Sequence, residues 1–384
     1  MKLINNRLIL ILFLITCQTS LAQRWTPKSN LPASARRNVS LFELNNRLYC
    51  VFGFDAALND DLWEYNPLTD TWTSKATFPG TPRESGIAVS SGAFAFAGLG
   101  WSLNMTSSLS DFYRYDPLNN SWIVRASYPG TGGRNSFFTE LNGKIYVGAG
   151  STGSTQPYSN QFWEYDVATN TWTQLANLPF GSRAGGIAVT HQNFIYFGFG
   201  HDGSVTSRDL WRYNPANSSW TQMATFPGPA RLQPSAFVIG DSLILGGGHV
   251  LGTPAPLSDY YVYSFSTNSW SPICSPPVAT RSNTKGIAIN GRGYITCGRS
   301  NTGFLNDLIE FDFDLERIDT SLCFPGNYQF QSNSPSVGAT YLWSDGTMGL
   351  INSISSPGTY WVRTTLNGCL SADTFKVSAR IGPN

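Results

Sequence analysis

Six tryptophans recur along this 384-residue chain at nearly equal intervals. Trp25, Trp72, Trp122, Trp172, Trp220 and Trp270 are separated by 47, 50, 50, 48 and 50 residues. Such spacing means that one supersecondary unit is copied and stacked, because a unit this small cannot bury its apolar face alone. The constraint acts before any single residue is interpreted. It restricts the chain to repeat architectures, and a period near fifty suits a four-stranded sheet repeated radially about an axis.

Composition agrees with that reading. Charged residues are only 13%, aromatics reach 14% and there are 37 glycines, a mix for short strands and tight turns. A formal charge of +1 gives no bulk electrostatic case for nucleic acid or an anionic membrane as partner. The first 22 residues read as a signal peptide. Lys2 and Arg7 precede the apolar run Leu8 to Ile15, and Ser20-Leu21-Ala22 is a small-x-small cleavage site before Gln23. That run is too short to span a bilayer, and no later stretch is long and apolar enough for a membrane span. Cys17 fits poorly as a lipoprotein cysteine because Thr16 precedes it. The expectation is an exported protein, whether secreted, cell-surface or periplasmic.

Behind the leader remain Cys50, Cys274, Cys297, Cys323 and Cys369. Export permits disulfides, and an odd number leaves at least one thiol free or joined to another chain. No CxxC spacing for a metal or redox centre appears, and no cofactor is expected.

The third copy of the repeat shows the unit most fully. An apolar strand over residues 135–141 is followed by the hairpin turn Asn142-Gly143 and a second strand ending Gly148-Ala149-Gly150. After a variable loop come Gln161-Phe162-Trp163-Glu164-Tyr165-Asp166, a turn, and Thr171-Trp172-Thr173-Gln174-Leu175. Related third strands are Asp61-Leu62-Trp63-Glu64-Tyr65-Asn66-Pro67, Asp111-Phe112-Tyr113-Arg114-Tyr115-Asp116-Pro117 and Asp209-Leu210-Trp211-Arg212-Tyr213-Asn214-Pro215, with weaker copies at Asp259 and Asp307. A glycine pair after strand two, an aromatic third strand and a tryptophan in the fourth resemble the kelch repeat over residues 24 to about 318. The resemblance implies an all-β, six-bladed kelch-type β-propeller. Trp25 precedes any complete blade and the position after Phe311 lacks a tryptophan, so residues 23–318 are expected to close through an N-terminal outer strand on blade six.

Past Asp319 the period stops. Cys323 and Cys369 bracket Trp343 and Trp361, with turns at Ser344-Asp345-Gly346 and Ser356-Pro357-Gly358. Residues 319–384 resemble the small immunoglobulin-like β-sandwich modules near the C-termini of exported bacterial proteins, which implies a Cys323–Cys369 disulfide.

Position-by-position comparison of the copies supplies the candidate site. An arginine opens every copy, namely Arg36, Arg83, Arg134, Arg183, Arg231 and Arg281, and all six are expected near one mouth of the axial channel. One reading makes them structural; the other makes them an electropositive mouth that binds carboxylates bidentately. The residue after each GxG-like element, Phe54, Trp101, Ser151, His201, His249 and Arg299, falls on the same rim and varies as a recognition surface would. The aspartates before each third strand are expected to cap loops. His201 and His249 lack a third metal ligand, so the expectation is no metal. Cys50 and Cys297 fall on blades one and six, either as a bridge across their seam or as buried thiols.

The family resemblance adds that related propellers bind acidic peptides at this mouth. The function expected is extracellular binding or adhesion, with an unknown protein segment or glycan, anionic in character, at the loop face. The alternative is a carbohydrate-active enzyme resembling the sialic-acid mutarotases, for which Glu84 beside Arg83 is a weak catalytic candidate and Glu140 a weaker one.

Overall fold

The computed structural model describes residues 25–103, 107–153, 157–253, 255–312, 317–322, 328–331, 340–366 and 369–379. The chain divides into a compact unit Arg24–Phe313 and a second unit that contains Asp314–Asn384.

Among the described residues the first unit comprises six four-stranded antiparallel sheets. Blade three is built from Phe137–Leu141, Lys144–Gly148, Phe162–Asp166 and Thr171–Leu175 in that order. The innermost strands of the six blades are Ser40–Leu44, Ile87–Ser91, Phe137–Leu141, Ile187–His191, Ser235–Ile239 and Lys285–Ile289. Each packs against its neighbour, and Ser40–Leu44 also packs against Lys285–Ile289. The molecule is therefore a six-bladed β-propeller.

Blade six contains Lys285–Ile289, Arg292–Arg299 and Phe304–Asp312, and its outermost strand is Trp25–Lys28. Trp25 stands opposite Phe311, the register that sets Trp72 opposite Tyr65, Trp122 opposite Tyr115 and Trp172 opposite Tyr165.

The repeated tryptophan does more than fill space. Trp122 Nε1 donates to Ala76 O at 2.9 Å, on the outer end of the preceding blade. Ala76 N in turn donates to Asn120 Oδ1 at 2.9 Å, and Tyr115 donates its hydroxyl to that same oxygen. In four of the six blades one residue is gripped in this way at both its N–H and its C=O by the next blade. Trp172, Asn170 and Tyr165 hold Ala126 in this way, and Trp270, Asn268 and Tyr263 hold Ala224. Trp72, Asp70 and Tyr65 hold Ser29, which follows the N-terminal strand, while Trp25 Nε1 donates to Cys274 O. Asp70, Asn120, Asn170 and Asn268 are all left-handed, with φ between 46° and 58°. Asn and Asp tolerate that conformation because a short polar side chain bonds locally.

The second unit has a four-stranded sheet in the order Arg317–Leu322, Cys369–Ala379, Gly358–Leu366, Thr340–Trp343, and a two-stranded sheet of Tyr328–Gln331 with Ile351–Ile354. Ile318 lies here, paired in parallel with Phe375. Tyr341, Trp343, Val362 and Val377 form its core, and Trp343 Nε1 donates to Gly349 O. Cys323 lies outside the described residues, so the Cys323–Cys369 pairing does too.

The clamp gives a graded prediction. Trp172→Phe keeps the ring and removes one donor, and should cost about 1 kcal/mol of unfolding free energy. Asn170→Ala removes two acceptor contacts and forces alanine into φ 58°, and should cost about 2–4 kcal/mol in denaturant unfolding. Equal costs would show that the asparagine does not bridge the blades.

Candidate functional site

The chain enters each innermost strand through a short approach segment, and alignment on those strands corrects one candidate. Arg36, Arg83, Arg183, Arg231 and Arg281 stand four residues before their strands, but in blade three that position is Gly133. Arg134 is one residue further on, equivalent to Arg37, Glu84, Ala184, Leu232 and Ser282. The isolated bridges agree: Arg37 pairs with Phe54, Glu84 with Trp101, Arg134 with Ser151, Ala184 with His201, Leu232 with His249 and Ser282 with Arg299.

The five equivalent arginines are buried, at 0–6% exposure. Each reaches the aspartate that opens the third strand of its own blade. Arg36 bonds Asp61 at 2.5 and 3.1 Å, Arg83 bonds Asp111 at 2.6 and 2.6 Å, and Arg183 bonds Asp209 at 2.6 and 3.1 Å. Arg281 bonds Asp307 at 2.9 and 2.6 Å, while Arg231 makes one such bond to Asp259 at 2.6 Å. Each also donates to a carbonyl beside the glycine pair, as Arg83 does to Leu99 O at 2.8 Å. A buried guanidinium needs a planar partner for its fork of donors, and the carboxylate provides it. Arg36, Arg83, Arg183, Arg231 and Arg281 are therefore not mouth-lining ligand residues, and Asp61, Asp111, Asp209, Asp259 and Asp307 are ion-pair partners as well as turn residues. Blade three has lost both members together. Gly133 replaces the arginine, and Gln161 replaces the aspartate and accepts from Thr131 N at 3.0 Å. A Cβ on Gly133 would meet Leu109 O at 2.7 Å.

Two residues before each innermost strand, the chain turns through the left-handed region. Asn38, Ser85, Asn135, Gly185, Gln233 and Asn283 have φ between 52° and 72°. Their backbones link blade to blade around the axis: Asn38 N donates to Asn283 O at 2.8 Å, Ser85 N to Asn38 O, Asn135 N to Ser85 O, Gly185 N to Asn135 O and Gln233 N to Gly185 O. Side chains then cross the opening. Gln233 Nε2 donates to Asn135 Oδ1 at 3.2 Å and to Asn38 Oδ1 at 3.4 Å, and Asn283 Nδ2 donates to Asn38 Oδ1 at 2.9 Å. The mouth thus has a floor of amide groups.

Glu84 is anchored to this floor at 1% exposure. Its Oε2 accepts from Asn38 Nδ2 at 2.9 Å and lies 3.6 Å from Arg37 Nε, while Oε1 accepts from Arg134 Nη2 at 3.2 Å. Arg37 and Arg134 retain 28% and 24% side-chain exposure. Both Nε atoms are buried without a hydrogen-bond partner, as is Ser85 Oγ beside them. Each guanidinium also lies against an aromatic face, Arg134 at 4.6 Å from the Trp101 ring and Arg37 at 5.1 Å from Phe54 and 5.7 Å from Phe304. Such contacts hold a cation in place without neutralising it.

The opposite half of the rim is different. His201 stacks edge-on to Tyr158 at 5.0 Å, and burial lowers its pKa. His249 Nδ1 is buried without a partner; desolvation first, then His201 and Arg299, lowers its pKa to about 4. Both imidazoles are neutral at pH 7. Arg299 is exposed and Ser151 buried. Arg37 and Arg134 are thus the part-exposed cations beside Glu84, and the carboxylates of Asp55 and Asp202 follow Phe54 and His201 in the rim loops. Among the described residues no cluster of three or more His, Cys, Asp or Glu side chains could hold a metal ion. Glu140 lies at the hairpin end of its strand, accepting from Gly143 N and Ser91 Oγ.

Arg37 and the left-handed floor residues escaped sequence reasoning. A signal existed for the register. From arginine to the second glycine of the GxG element the interval is 53 − 36 = 17 in blade one and 17 in four others, but 150 − 134 = 16 in blade three.

Comparison with known proteins supports the repeat. The KLHDC2/KLHL20/DRC7 Kelch-repeats domain matches residues 94–248, the Kelch motif residues 35–79, and the F-box associated beta propeller domain residues 250–340. Curated protein sequences give no match. Among solved structures, that of YjhT is 16% identical with a TM-score of 0.65, covering 73% of this chain and 95% of that chain. The chain carries kelch repeats folded as a six-bladed propeller.

Two measurements follow from the geometry. Arg183→Gly or Asp209→Gln alone strands a buried charge and should cost about 3–5 kcal/mol. The double substitution copies the natural state of blade three and should cost clearly less than the sum; additive losses in denaturant unfolding would remove the pair from the account. For His249, the unfolded chain takes up a proton near pH 6.5 and the folded chain only near pH 4. Its stability contribution is therefore complete above pH 6.5 and falls, by roughly 1–2 kcal/mol after allowance for solvent screening, as pH drops toward 4. His249→Asn should flatten that part of the stability–pH curve.

Proposed function

We propose that this kelch-repeat propeller is an exported binding protein that holds an anionic protein segment or acidic glycan over blades one to three. The supporting observation is the arrangement at Glu84. Two part-exposed guanidinium groups flank one buried carboxylate, leaving a local excess of positive charge, with Trp101 and Phe54 as apolar faces beside them. Arginine held against an aromatic ring is already ordered, so less rotamer entropy is lost when it grips a carboxylate. Trp101 can stack on a sugar ring or anchor a peptide side chain. His201, His249 and Arg299 would extend the contact surface around the rim. The kelch propeller fold fits such a binding role.

The reading includes parts of the chain outside this rim. Residues 1–22 are taken as a cleaved leader. The pairing of Trp25–Lys28 with blade six is taken as the closure that joins the two ends of the repeat. Residues 319–384 are taken as an immunoglobulin-like sandwich, with a Cys323–Cys369 bridge, acting as a spacer or a second contact.

A second reading is favoured by one feature of the same site. A buried carboxylate between two arginines on a propeller rim has the ingredients for acid–base work on an acidic sugar, as in an enzyme of the sialic-acid mutarotase type. Against it, both Glu84 oxygens are occupied by Asn38, Arg37 and Arg134. A positioning role for those arginines uses the same contacts.

The test is a screen of acidic glycans and acidic peptides with the purified protein, followed by titrations across a salt series. Arg37→Glu and Arg134→Glu should each weaken binding by about tenfold or more, and added salt should weaken the wild type more than Trp101→Ala weakens it. Binding indifferent to both charge reversals would overturn the reading. Anomer exchange followed by NMR on any glycan hit, lost in Glu84→Gln, would instead select the enzyme.

A further inference from the structure

The fold repeats one packing contact at every boundary between blades. The residue before the last glycine of each GxG element is left-handed: Phe52, Leu99, Ala149, Phe199, Gly247 and Cys297, with φ between 55° and 69°. It shares a buried cluster with the fourth residue of the second strand in the following blade. Phe52 joins Ala97, Leu99 joins Val147, Ala149 joins Phe197, and Phe199 joins Leu245. Gly247 corresponds by register to Ile295. Each of these pairs includes at least one bulky apolar side chain, as a close-packed boundary requires. The sixth boundary, between blades six and one, places Cys297 against Cys50.

Two small side chains meet only at this boundary, and both are sulfur. Cys50 and Cys297 are fully buried and share one cluster with Leu48, Tyr294 and Leu308. The neighbouring Cys297 and burial push the Cys50 thiol up, Cys50 holds Cys297 down, and the charge of Arg36 acts downward on both. Cys297 sits where the register of its strand shifts between Thr296 and Gly298. An irregularity of this kind re-aims a side chain, here across the boundary.

We propose that Cys50 and Cys297 form a disulfide that covalently joins the first and last blades. Each thiol gives up its proton, and the two sulfurs together pass two electrons to the disulfide of a thiol oxidant, which leaves as two thiols. Burial in the folded ring excludes such an oxidant, so the bond forms as the last blade docks on the first. The inference uses the export reading for its oxidising compartment, but the pairing itself follows from geometry.

The experiment separates the two. The full chain with its leader is produced in the periplasm of a bacterial host. A leaderless chain is made in a reducing cytosol, unfolded, reduced, and refolded in reduced and oxidised glutathione. Both are unfolded in iodoacetamide without reductant, digested and mapped by mass spectrometry. The expected product in both is one linked peptide containing Cys50 and Cys297. Reduction should lower the Tm of the wild type more than that of the Cys50→Ala, Cys297→Ala double variant. If the leader fails to deliver the chain but refolding links the pair, export fails and the bond stands. Alkylation of both cysteines in both preparations, or linkage of either to another cysteine, would overturn the proposal.

Discussion

Six left-handed residues close to the axis set the positions of everything above them. Asn38, Ser85, Asn135, Gly185, Gln233 and Asn283 bring consecutive blades within backbone hydrogen-bond distance of each other. No side chain fits between strands that approach so closely, which is why Gly100 follows at φ 90°, where a Cβ would meet Glu84 O at 2.8 Å. Once the approach segments are held there, the residue one place earlier must point along the rim. The residue two places earlier must turn back into its own blade. Part-exposed rim arginines and buried, ion-paired ones are therefore separated by a single step in sequence, as Arg37 and Arg36 are.

That step decides the electrostatics of the mouth. Five guanidinium groups carrying full charge at an open rim would repel one another and would present a strong positive field. Turned inward, each is paired with an aspartate of its own blade, and the rim keeps Arg37, Arg134 and Arg299 with the buried Glu84 and the carboxylates of Asp55 and Asp202. The crossing of Gln233 to Asn38 and Asn135 spans the central opening with amide groups.

Much of the architecture was legible in the chain because it is repeated. Trp72, Trp122, Trp172 and Trp270 occupy equivalent positions, so their common spacing reports a common role, and the count of copies gives the number of blades. The site was harder to read for a physical reason. An arginine before a strand has the same sequence appearance whether it pairs internally or faces solvent. The difference lies in an aspartate some 26 residues away, as between Arg183 and Asp209, and in the local twist that only folding imposes. Arg134 was misplaced because Gly133, having no side chain, left no mark at the position it had taken over. Glu84 was noticed for its neighbour Arg83, yet its partners are Arg37 and Arg134 from the adjacent blades.

The repeat is most informative where it is broken, because a break in one blade has five intact copies as its control. Blade three gives up the buried ion pair at both ends, which is how a charge pair is lost without leaving either member stranded. The same blade supplies Arg134 to the rim, so the blade with the least internal charge contributes one of the two cations that flank Glu84. The boundary between blades six and one departs from apolar packing and sets thiol against thiol. It is also where Ser29, just past the N-terminal strand, takes the place that Ala76, Ala126 and Ala224 hold at other boundaries. The backbone crosses every boundary, here through residues 29–39 between Trp25–Lys28 and Ser40–Leu44, and the break in the chain lies inside blade six, where Trp25–Lys28 pairs with Phe304–Asp312. Blades six and one are still the two most distant in sequence, so a link across their boundary closes the longest loop. A cysteine pair at that boundary, and nowhere else in the ring, is placed where a covalent link restricts the unfolded chain most.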